Sequence, residues 1–293
     1  MPSLSFDPVA HIYDATRGYP AEVAQGIAQA IETTAAATPA TSFLEVGIGT
    51  GRIAFPLASL GHIYSGVDIS EKMVEQLETK LGEDGWQEYQ RPWGSMPDED
   101  SAKFPVVRRF SDVQQQASMR LVIADMTALP FHSRSFDVVV AVHVFHLVDG
   151  WQQALREVFR VLRPEGLFLH CWDEYASSDV LPVENQWMRI VRELGGEIRR
   201  PGSASRSEVT RWLSEQGLQS QESRVVRWEN TVTPRQAVEH VTRRLWSSTW
   251  VVSDALFAAS AERLQEWANG YFGATMDTPH LQKRQFVICK TRV

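Results

Sequence analysis

Short apolar runs alternate with amphipathic stretches over the first 172 residues, and this pattern predicts strands that alternate with helices. The runs are rich in β-branched and aromatic side chains and stop at polar residues, which is typical of buried strands. Five strands are predicted in this way, at Phe43–Val46, Ile63–Val67, Leu121–Ala124, Phe136–Val142 and Leu167–Cys171.

Between the runs, apolar residues recur every three or four positions, as they do on one face of a helix. Such a stripe opens the chain with Val23, Ile27 and Ile31. Alternating strands and helices indicate a parallel sheet that is covered by helices on both faces. The remaining predicted helices are Gly51–Leu60, a helix from the cap residue Ser70 to Gly82, and a helix from Asp149 that Pro164 and Gly166 stop.

Two segments fall outside this alternation. Residues 83–117 are polar and contain three prolines and an acidic run, so we interpret them as an inserted, solvated loop. The segment from Trp172 onward holds seven of the ten tryptophans. Its predicted elements are a helix around Trp187–Val191, a helix at Ser207–Gln216, a strand at Ser223–Val232, helices at 234–247 and 253–269, and a last strand at Gln285–Arg292.

Composition narrows the class of protein. Of the 293 residues, 43% are hydrophobic and 22% are charged, which is ordinary for a soluble globular protein. The net charge of -7 comes with no basic stripe, so we expect no nucleic-acid partner. The chain opens without the apolar core of a signal peptide, and its longest apolar run, near Val138–Val142, is too short to cross a bilayer. Two cysteines are too few for a zinc site. We therefore expect a cytoplasmic protein that binds neither metal nor membrane.

Three glycines at alternate positions follow the first predicted strand, at Gly47, Gly49 and Gly51. Glycine lets the backbone turn sharply from a strand into a helix and lets a ligand approach bare N–H groups. Those N–H groups form the positive end of a helix, which favours an anion. By itself the triplet leaves an ordinary turn open as an alternative to a nucleotide-like ligand.

Two acidic residues behind the glycines narrow the ligand. Asp68 ends the second strand, where a carboxylate commonly accepts hydrogen bonds from ribose hydroxyls. A nicotinamide dinucleotide would suit that acid, but Arg52 stands where the dinucleotide fingerprint has its third glycine. Asp125 ends the third strand, where a carboxylate can accept from the amino group of an adenine.

At this point the sequence resembles the class I S-adenosylmethionine-dependent methyltransferases, in particular the small-molecule branch that includes the ubiquinone and trans-aconitate methyltransferases. Five segments in the family's order are more specific than any one of them. The matching segments are Glu45–Gly51, Val67–Ser70, Ala124–Phe131, Phe136–Val140 and Arg160–Gly166, and the opening residues Phe6–Pro20 also match.

The resemblance implies an α/β fold with a doubly wound, seven-stranded Rossmann-like sheet, mostly parallel with an antiparallel last strand, plus helical cap insertions. Residues 1–293 would form a single methyltransferase domain. Within it, 1–40 would close over the cofactor, 41–172 would form the cofactor-binding core with the insertion 83–117, and 173–293 would supply the substrate-cap helices and final strands. Cys171 and Cys289 would lie on neighbouring strands several residues apart, so we expect no disulfide.

The resemblance also assigns contacts to S-adenosylmethionine. The glycines would lie against its methionine portion, with Glu45 orienting that turn or meeting the amino group. Asp68 would hold the ribose, and Ile69 would flank the adenine. The full set of expected cofactor contacts is Tyr13, Arg17, Glu45, Gly47, Gly49, Gly51, Asp68, Ile69, Asp125, Met126 and Val142. For Tyr13 a place in the core and for Arg17 a place at the surface are the structural alternatives.

Methyl transfer is an in-line displacement, to which an enzyme contributes mainly by holding the nucleophile close and aligned. A general base is needed only when the acceptor still holds its proton. His143, after the fourth strand, is the candidate base or substrate contact. His146 and Trp172 are candidate substrate contacts, with a structural role as the alternative for both.

The tryptophan-rich helices near 234–269 are expected to cap the substrate site. Arg243 and Arg244 would suit a carboxylate-bearing acceptor if they face it, and solvated arginines are the alternative. The sequence thus predicts methyl transfer from S-adenosylmethionine to a small molecule. Two other functions stay open: a cofactor-binding protein of the same fold without methyltransferase activity, and a nucleotide-dependent oxidoreductase, which Arg52 and Asp125 disfavour.

Overall fold

The computed structural model describes residues 3–89, 107–114, 116–180 and 182–293, and these form a mixed sheet of nine strands. The order across the sheet is β3-β4-β5-β2-β1-β6-β7-β9-β8. The pairs from β5 to β7 are parallel, and the pairs at both edges are antiparallel. The strands are β1 (Ser42–Val46), β2 (Ile63–Asp68), β3 (Gln87–Glu88), β4 (Val107–Ser111), β5 (Ser118–Ile123), β6 (Phe136–Val142), β7 (Leu162–Ser178), β8 (Ser220–Val232) and β9 (His280–Arg292).

Helices cover both faces of this sheet, as the alternating pattern predicts. They are α1 (Tyr13–Arg17), α2 (Ala21–Ala35), α3 (Ala54–Ala58), α4 (Glu71–Glu83), α5 (Trp151–Val161), α6 (Pro182–Glu193), α7 (Arg206–Glu215), α8 (Pro234–Thr242) and α9 (Asp254–Phe272). Ser70 caps α4 as predicted, since its side chain accepts a hydrogen bond from the Met73 N–H at 3.3 Å.

The strands divide their side chains between two cores because successive residues of a strand point to opposite faces. Phe43 of β1 packs with α2, α3 and α4, whereas Leu44 packs on the other side with α5 and α7. A third core joins α6, α8 and α9 around the fully buried Trp187. This third cluster forms the helical cap, which covers the carboxyl ends of the parallel strands.

The expectation of seven strands is wrong, because the described residues form nine. The interpretation of 83–117 as a solvated loop is also wrong in part: Val107–Ser111 pairs antiparallel with β5. Its Phe110 is 6% exposed and belongs to the main core, which gives this segment an apolar anchor. Most of the remainder of that insertion, including its acidic run, lies outside the described residues.

Two predicted helix limits need correction. The helix expected at Gly51–Leu60 is regular only over Ala54–Ala58, because the glycine turn and residues 52 and 53 use its first positions. The helix before β7 ends at Val161, and Pro164 and Gly166 lie within β7 itself. That strand has 17 residues and extends well beyond the predicted Leu167–Cys171.

Cys171 and Cys289 lie on neighbouring antiparallel strands, as expected, but closer together than the predicted several residues. Cys171 pairs with Ile288, and Cys289 pairs with His170. Residues that are directly opposite point to the same face, so these two sulfurs point to opposite faces of the sheet. Both thiols are free and buried.

The strand order reverses at β1, since the chain continues to β2 on one side and later adds β6 on the other. Doubly wound sheets bind ligands in the crevice outside the carboxyl ends of the strands at such a point. Among the described residues, no helix is long and apolar enough to cross a membrane.

Candidate functional site

A cavity of about 1060 Å³ lies at this carboxyl edge, under the helical cap. Residues from the ends of β1, β2, β5, β6 and β7 form its floor, and the N-terminal segment and the cap form its roof. Nearly all of the residues that the sequence singled out for the site line this one cavity; the exceptions are Glu45, Gly51 and Arg244.

The glycine turn has the backbone that its sequence predicts. Gly47, Gly49 and Gly51 have φ angles of 75°, 55° and 72°, a region that side chains with a Cβ rarely adopt. At Gly47 space is short as well, because an added Cβ would lie 2.6 Å from the Val144 Cγ2 atom. The turn therefore presents bare backbone at the cavity floor.

Asp68 ties the turn to the second strand. Its two carboxylate oxygens accept one hydrogen bond each at 2.8 Å, from the Gly49 N–H and the Ser70 N–H. Burial raises the pKa of Asp68, and the N–H donors oppose that shift. Each oxygen keeps a further acceptor position, so the carboxylate can receive two more donors from a ligand in the cavity.

An apolar wall stands beside Asp68. Ile69 is 47% exposed although it is a large aliphatic residue, and Met126 faces the same cavity. Asp125, between them in the cavity wall, accepts a hydrogen bond from the Thr127 N–H at 2.8 Å. An apolar surface with a carboxylate at its edge suits a flat heterocycle that carries an amino group.

Glu45 lies behind the turn and away from the cavity wall. It is 2% exposed, and its carboxyl accepts a hydrogen bond from the Tyr64 hydroxyl at 2.9 Å. Burial raises the pKa of Glu45 to about 8. The structure thus places Glu45 in a supporting position under the glycine turn.

The N-terminal segment is fastened to the glycine turn and to α4. Asp14 accepts a hydrogen bond from the Thr50 hydroxyl at 2.6 Å and pairs with Lys80 at 2.7 Å. Arg17 donates to the backbone carbonyl of Leu245 in the cap. Tyr13 lies under the guanidinium of Arg17, with the Cζ atom 5.6 Å from the ring centre. Tyr13 and Arg17 therefore form part of the roof.

His143 follows β6 in a left-handed backbone conformation, with a φ of 52°. This conformation costs free energy in a residue other than glycine, and such strain is frequent at functional sites. The His143 Nε2 atom lies 2.8 Å from an Asp173 carboxylate oxygen. Asp173 is 7% exposed and also accepts from the Tyr19 hydroxyl at 2.8 Å, while Arg284 pairs with its other oxygen.

The Asp173 N–H also lies 2.9 Å from the same Nε2 atom, which cannot both carry a proton and accept one. We assign the proton to Nε2, because a hydrogen bond to a carboxylate is stronger than one from a backbone amide. The His143 Nδ1 atom is then the proton acceptor of the ring, and His143 lines the cavity. His143 and Asp173 thus form a hydrogen-bonded dyad at the cavity wall.

Burial holds the pKa of His143 well below its usual range, and nearby guanidinium groups lower it further. The ring is therefore neutral near pH 7. The four guanidinium groups that contribute belong to Arg52, Arg206, Arg17 and Arg284. The end of β6 consequently lies in a strongly positive local field.

His146 and Trp172 line the same cavity near His143, in a part of it that we call the chamber. Burial and the charge of Arg200 lower the pKa of His146 to about 2, so its ring is neutral. Trp172 is 4% exposed and donates to Glu174 at 3.3 Å. His170, one pleat before Trp172, is also buried and lines the cavity.

Several of these residues were missed by the sequence interpretation. Asp173 belongs to no recognisable motif, and His170 lies within an otherwise apolar run. The arginines of the chamber come from elements far apart in sequence, so no local motif shows them. Arg243 lines the cavity as one alternative allowed, whereas Arg244 pairs with Asp254 and lies over Phe257 away from it.

The reversed strand order, the glycine turn and the carboxylates that end β2 and β5 are together those of the class I methyltransferase fold. Residues 44–168, somewhat less than half of the chain, match a family described as a methyltransferase domain, and the solved structures that align with the chain share its fold. The resemblance found in the sequence is thereby confirmed.

Three proteins illustrate what this chain is similar to. YcgJ of Bacillus subtilis, an uncharacterized methyltransferase, is 25% identical over 169 residues, which cover 58% of this chain and 52% of that protein. The crystal structure of YcgJ aligns with a TM-score of 0.51 at 17% identity, over 91% of this chain and 97% of that one. The mitochondrial 2-methoxy-6-polyprenyl-1,4-benzoquinol methylase of Rattus norvegicus is 32% identical over 143 residues, 45% of this chain and 42% of that protein.

The third protein carries a different kind of name. The [4+2]-cyclase SpnF aligns with a TM-score of 0.51 at 16% identity, over 100% of this chain and 98% of that one. The sequence matches span only about half the length of the curated relatives, 52% and 42% for the two above. The comparisons therefore establish the fold, and activity has to be argued from the site.

Proposed function

We propose that this chain transfers a methyl group from S-adenosylmethionine to a small-molecule acceptor. The observation that carries the proposal is the continuity of the cavity. Its wall runs without interruption from Asp68, Ile69 and Asp125 to the chamber around His143 and Trp172. Donor and acceptor must meet in one volume for an in-line displacement, and this cavity provides it.

The residues present fit S-adenosylmethionine. The bare backbone at Gly47 and Gly49 leaves room for the methionine portion, and Asp68 has free acceptor positions for both ribose hydroxyls. Ile69 and Met126 offer the apolar surface that an adenine ring requires. When bound, this cofactor supplies a methyl group activated by a sulfonium.

The chain contributes enclosure and alignment. Phe6 of the N-terminal segment packs edge-on against Trp250 of the cap, with ring centres 4.7 Å apart, and Arg17 donates to Leu245 next to it. A closed roof excludes water, which strengthens every electrostatic interaction inside. The roof and the rigid floor together would hold a nucleophile in line with the methyl group.

We further propose that the His143 and Asp173 dyad receives a proton when the acceptor carries one. Asp173 contacts the ring through Nε2, so Nδ1 would be the nitrogen that acts as the base. The low pKa of His143 makes it a weak base, so it suits acceptors that ionise readily. His146 and Trp172 are proposed as walls of the acceptor chamber.

Two other functions remain as rivals. A protein of this fold without methyltransferase activity is favoured by one observation, the likeness to a chain named a [4+2]-cyclase. A nicotinamide-dependent oxidoreductase is disfavoured, because Arg52 replaces the third fingerprint glycine and its guanidinium lies over the Tyr19 ring at 4.9 Å. The proposal also includes a cytoplasmic location and, from the acidic charge of the chain, the absence of a nucleic-acid partner.

Calorimetry tests the cofactor assignment without a known acceptor. S-adenosylmethionine should bind with a dissociation constant in the micromolar range, and nicotinamide dinucleotides should not bind. Asp68→Ala should weaken that binding at least tenfold, since hydrogen bonds to a charged group contribute about 1.5–3 kcal/mol each. Asp84→Ala, an exposed acid at the end of α4, is the matched control and should leave affinity unchanged.

Because Asp68 also holds the glycine turn, Asp68→Asn and thermal unfolding curves separate a lost contact from a damaged turn. A folded Asp68→Ala protein with unchanged affinity would refute the role of Asp68. Tight binding of a nicotinamide dinucleotide in place of S-adenosylmethionine would overturn the proposed function.

A further inference from the structure

The side of the acceptor chamber away from the cofactor wall is formed by the loop between α6 and α7. This loop crosses close over the turn after β6: the Ser203 N–H donates to the Phe145 carbonyl at 3.0 Å. Gly202 permits that approach, because an added Cβ would lie 2.0 Å from the same carbonyl oxygen. The crossing brings the loop residues Arg200 and Ser203–Ser207 into the cavity wall.

Two buried polar side chains in this wall lack partners. Ser203 is 3% exposed, and its hydroxyl has no hydrogen bond to any residue that the structure describes. His170 is 4% exposed, and its Nδ1 atom is buried without a partner. The Ser203 hydroxyl is not among the fully buried atoms, so it is open to the cavity and can donate to a ligand there, whereas the His170 Nδ1 atom is enclosed by protein.

Two guanidinium groups stand beside these side chains. Arg200 has no hydrogen bond or ion pair within the described part of the chain. Arg206 lies over the Trp172 ring, with its Cζ atom 5.1 Å from the ring centre, and its contact with Glu174 is long at 3.4 Å. That carboxylate already accepts from Gln285 at 2.8 Å, so the Arg206 guanidinium keeps donors available.

The first turn of α7 adds to the same positive surface. Ser205 caps this ten-residue helix, and its side chain accepts from the Glu208 N–H at 3.2 Å. The backbone N–H groups of Arg206 and Ser207 precede the first intrahelical donors and lie in the cavity wall. They therefore form a positive helix end directly beside the two arginines.

The balance of charge in the chamber favours an anion. Asp173 is neutralised by Arg284, and Glu184 is the carboxylate nearest to Arg200 and Arg17. Glu239 and Arg243 also line the wall and offset each other in formal charge. Once Glu174, which contacts Arg206 at 3.4 Å, is included, these arginines still exceed the carboxylates by one formal positive charge. Arg17 and Arg206 both lower the pKa of His143, so this positive charge lies near that ring.

We propose that the loop between α6 and α7 is an anion-binding subsite for the methyl acceptor, with Arg200 and Arg206 as the ligands of a carboxylate or phosphate group. This inference rests on the proposed function and names the chemical class of its substrate. Ser203 and the first turn of α7 supply further donors to the same group. Bidentate arginine contacts would fix the acceptor against Trp172 and direct its nucleophile toward the methyl group.

The test is calorimetry on protein saturated with S-adenosylhomocysteine, with three small probes: succinate, inorganic phosphate and the neutral succinamide. At least one anion should bind with a dissociation constant of about 1 mM or tighter, an affinity equivalent to about 4 kcal/mol, and succinamide should not bind. Arg200→Gln and Arg206→Gln should each weaken anion binding at least fivefold.

Matched controls come from the same elements. Arg199→Gln replaces the neighbouring arginine, which pairs with Glu197 and is 72% exposed. Arg211→Gln replaces an exposed arginine on α7. Both controls should bind the anion as the wild type does. Binding of succinate alone identifies a carboxylate acceptor, binding of phosphate alone identifies a phosphate ester, and both outcomes support the subsite.

Three results would overturn the inference: no saturable binding of either anion, equal binding of succinamide, or the same loss of affinity in the control variants. Each of them leaves the proposed function standing as long as S-adenosylhomocysteine itself binds. Failure of S-adenosylhomocysteine to bind would instead remove the proposed function, so the two failures are distinguishable in one experiment.

Discussion

At the scale of single residues, the site depends on groups whose protonation the fold changes. His143 is kept neutral by burial and by the guanidinium groups around it, and Glu45 is kept protonated by burial under the glycine turn. Neither shift follows from the local sequence, because each arises from residues that only the folded chain brings near. Both shifts lead to measurements that need no substrate.

The ring of His143 should remain neutral from pH 8 down to pH 5, with its proton on Nε2. Burial and the surrounding positive charges lower its pKa, so protonation would place a further charge in a positive, desolvated site. Nitrogen-15 NMR of the labelled protein distinguishes the two neutral tautomers and the charged ring, with His143→Gln to assign the signal. A ring that becomes charged above pH 5, or one that carries its proton on Nδ1, would contradict the dyad.

Glu45 should make the wild-type protein less stable as the pH rises. Its pKa is raised from 4.5 to about 8 in the folded state, so the folded protein retains a proton that the unfolded chain has released. The stabilising effect of that proton is present at low pH and is lost as the pH rises through this window. Glu45→Gln keeps an acceptor for Tyr64 without titrating, so its advantage over the wild type should grow by roughly 2–3 kcal/mol between pH 5 and pH 7.

Urea unfolding at both pH values measures this difference. Glu75→Gln, at an exposed position on α4, serves as the control and should follow the wild type. If Glu45→Gln and the wild type lost stability in parallel over this range, the raised pKa of Glu45 would be wrong.

At the scale of elements, the hydrophobic pattern predicted those strands and helices whose own residues are buried. The strands β1, β2 and β6 and the cap of α4 were predicted closely, because a two-face sheet demands continuous apolar runs and Ser70 is a preferred cap. The strand β4 was missed, because its residues Val107–Ser111 are mostly polar and only Phe110 among them is fully buried. The length of β7 was underestimated, because residues 163–165 and 175–177 near its two ends are exposed and carry no apolar run. Pairing with β9 extends the strand to Ser178.

The candidate site likewise has one part that the sequence predicts and one part that it does not. The cofactor wall was predictable, because Gly47, Asp68 and Asp125 each stand at a strand end within a recognisable motif. The acceptor chamber was not, because Arg206, His170 and Arg284 come from three elements that only the cap and the edge strands bring together. Sequence spacing carries no signal for such an arrangement.

At the scale of the whole molecule, the N-terminal segment and the helical cap meet over the cavity. Phe6, in the N-terminal segment, contacts Trp250, in the cap, and Arg17 reaches the carbonyl of Leu245. The N-terminal segment is in turn fastened to α4, where the Asp7 carboxylate accepts from the Lys72 N–H at 3.2 Å. A ligand beneath this roof would therefore be covered by the N-terminal segment and the cap together, and the contributions of the two segments to ligand binding should be cooperative.

A double-mutant cycle on the roof tests that cooperation. Phe6→Ala and Trp250→Ala should each weaken the binding of S-adenosylhomocysteine, and the double variant should lose less than the sum of the two. The shortfall should be about 0.5–1.5 kcal/mol, the usual coupling of an edge-on aromatic pair. Phe6→Ala combined with Tyr271→Ala is the control, because Tyr271 is 62% exposed on α9 and stacks on Trp267 away from the cavity wall. If the losses in the Phe6 and Trp250 cycle were additive, as they are expected to be in the control, the N-terminal segment and the cap would cover the ligand independently.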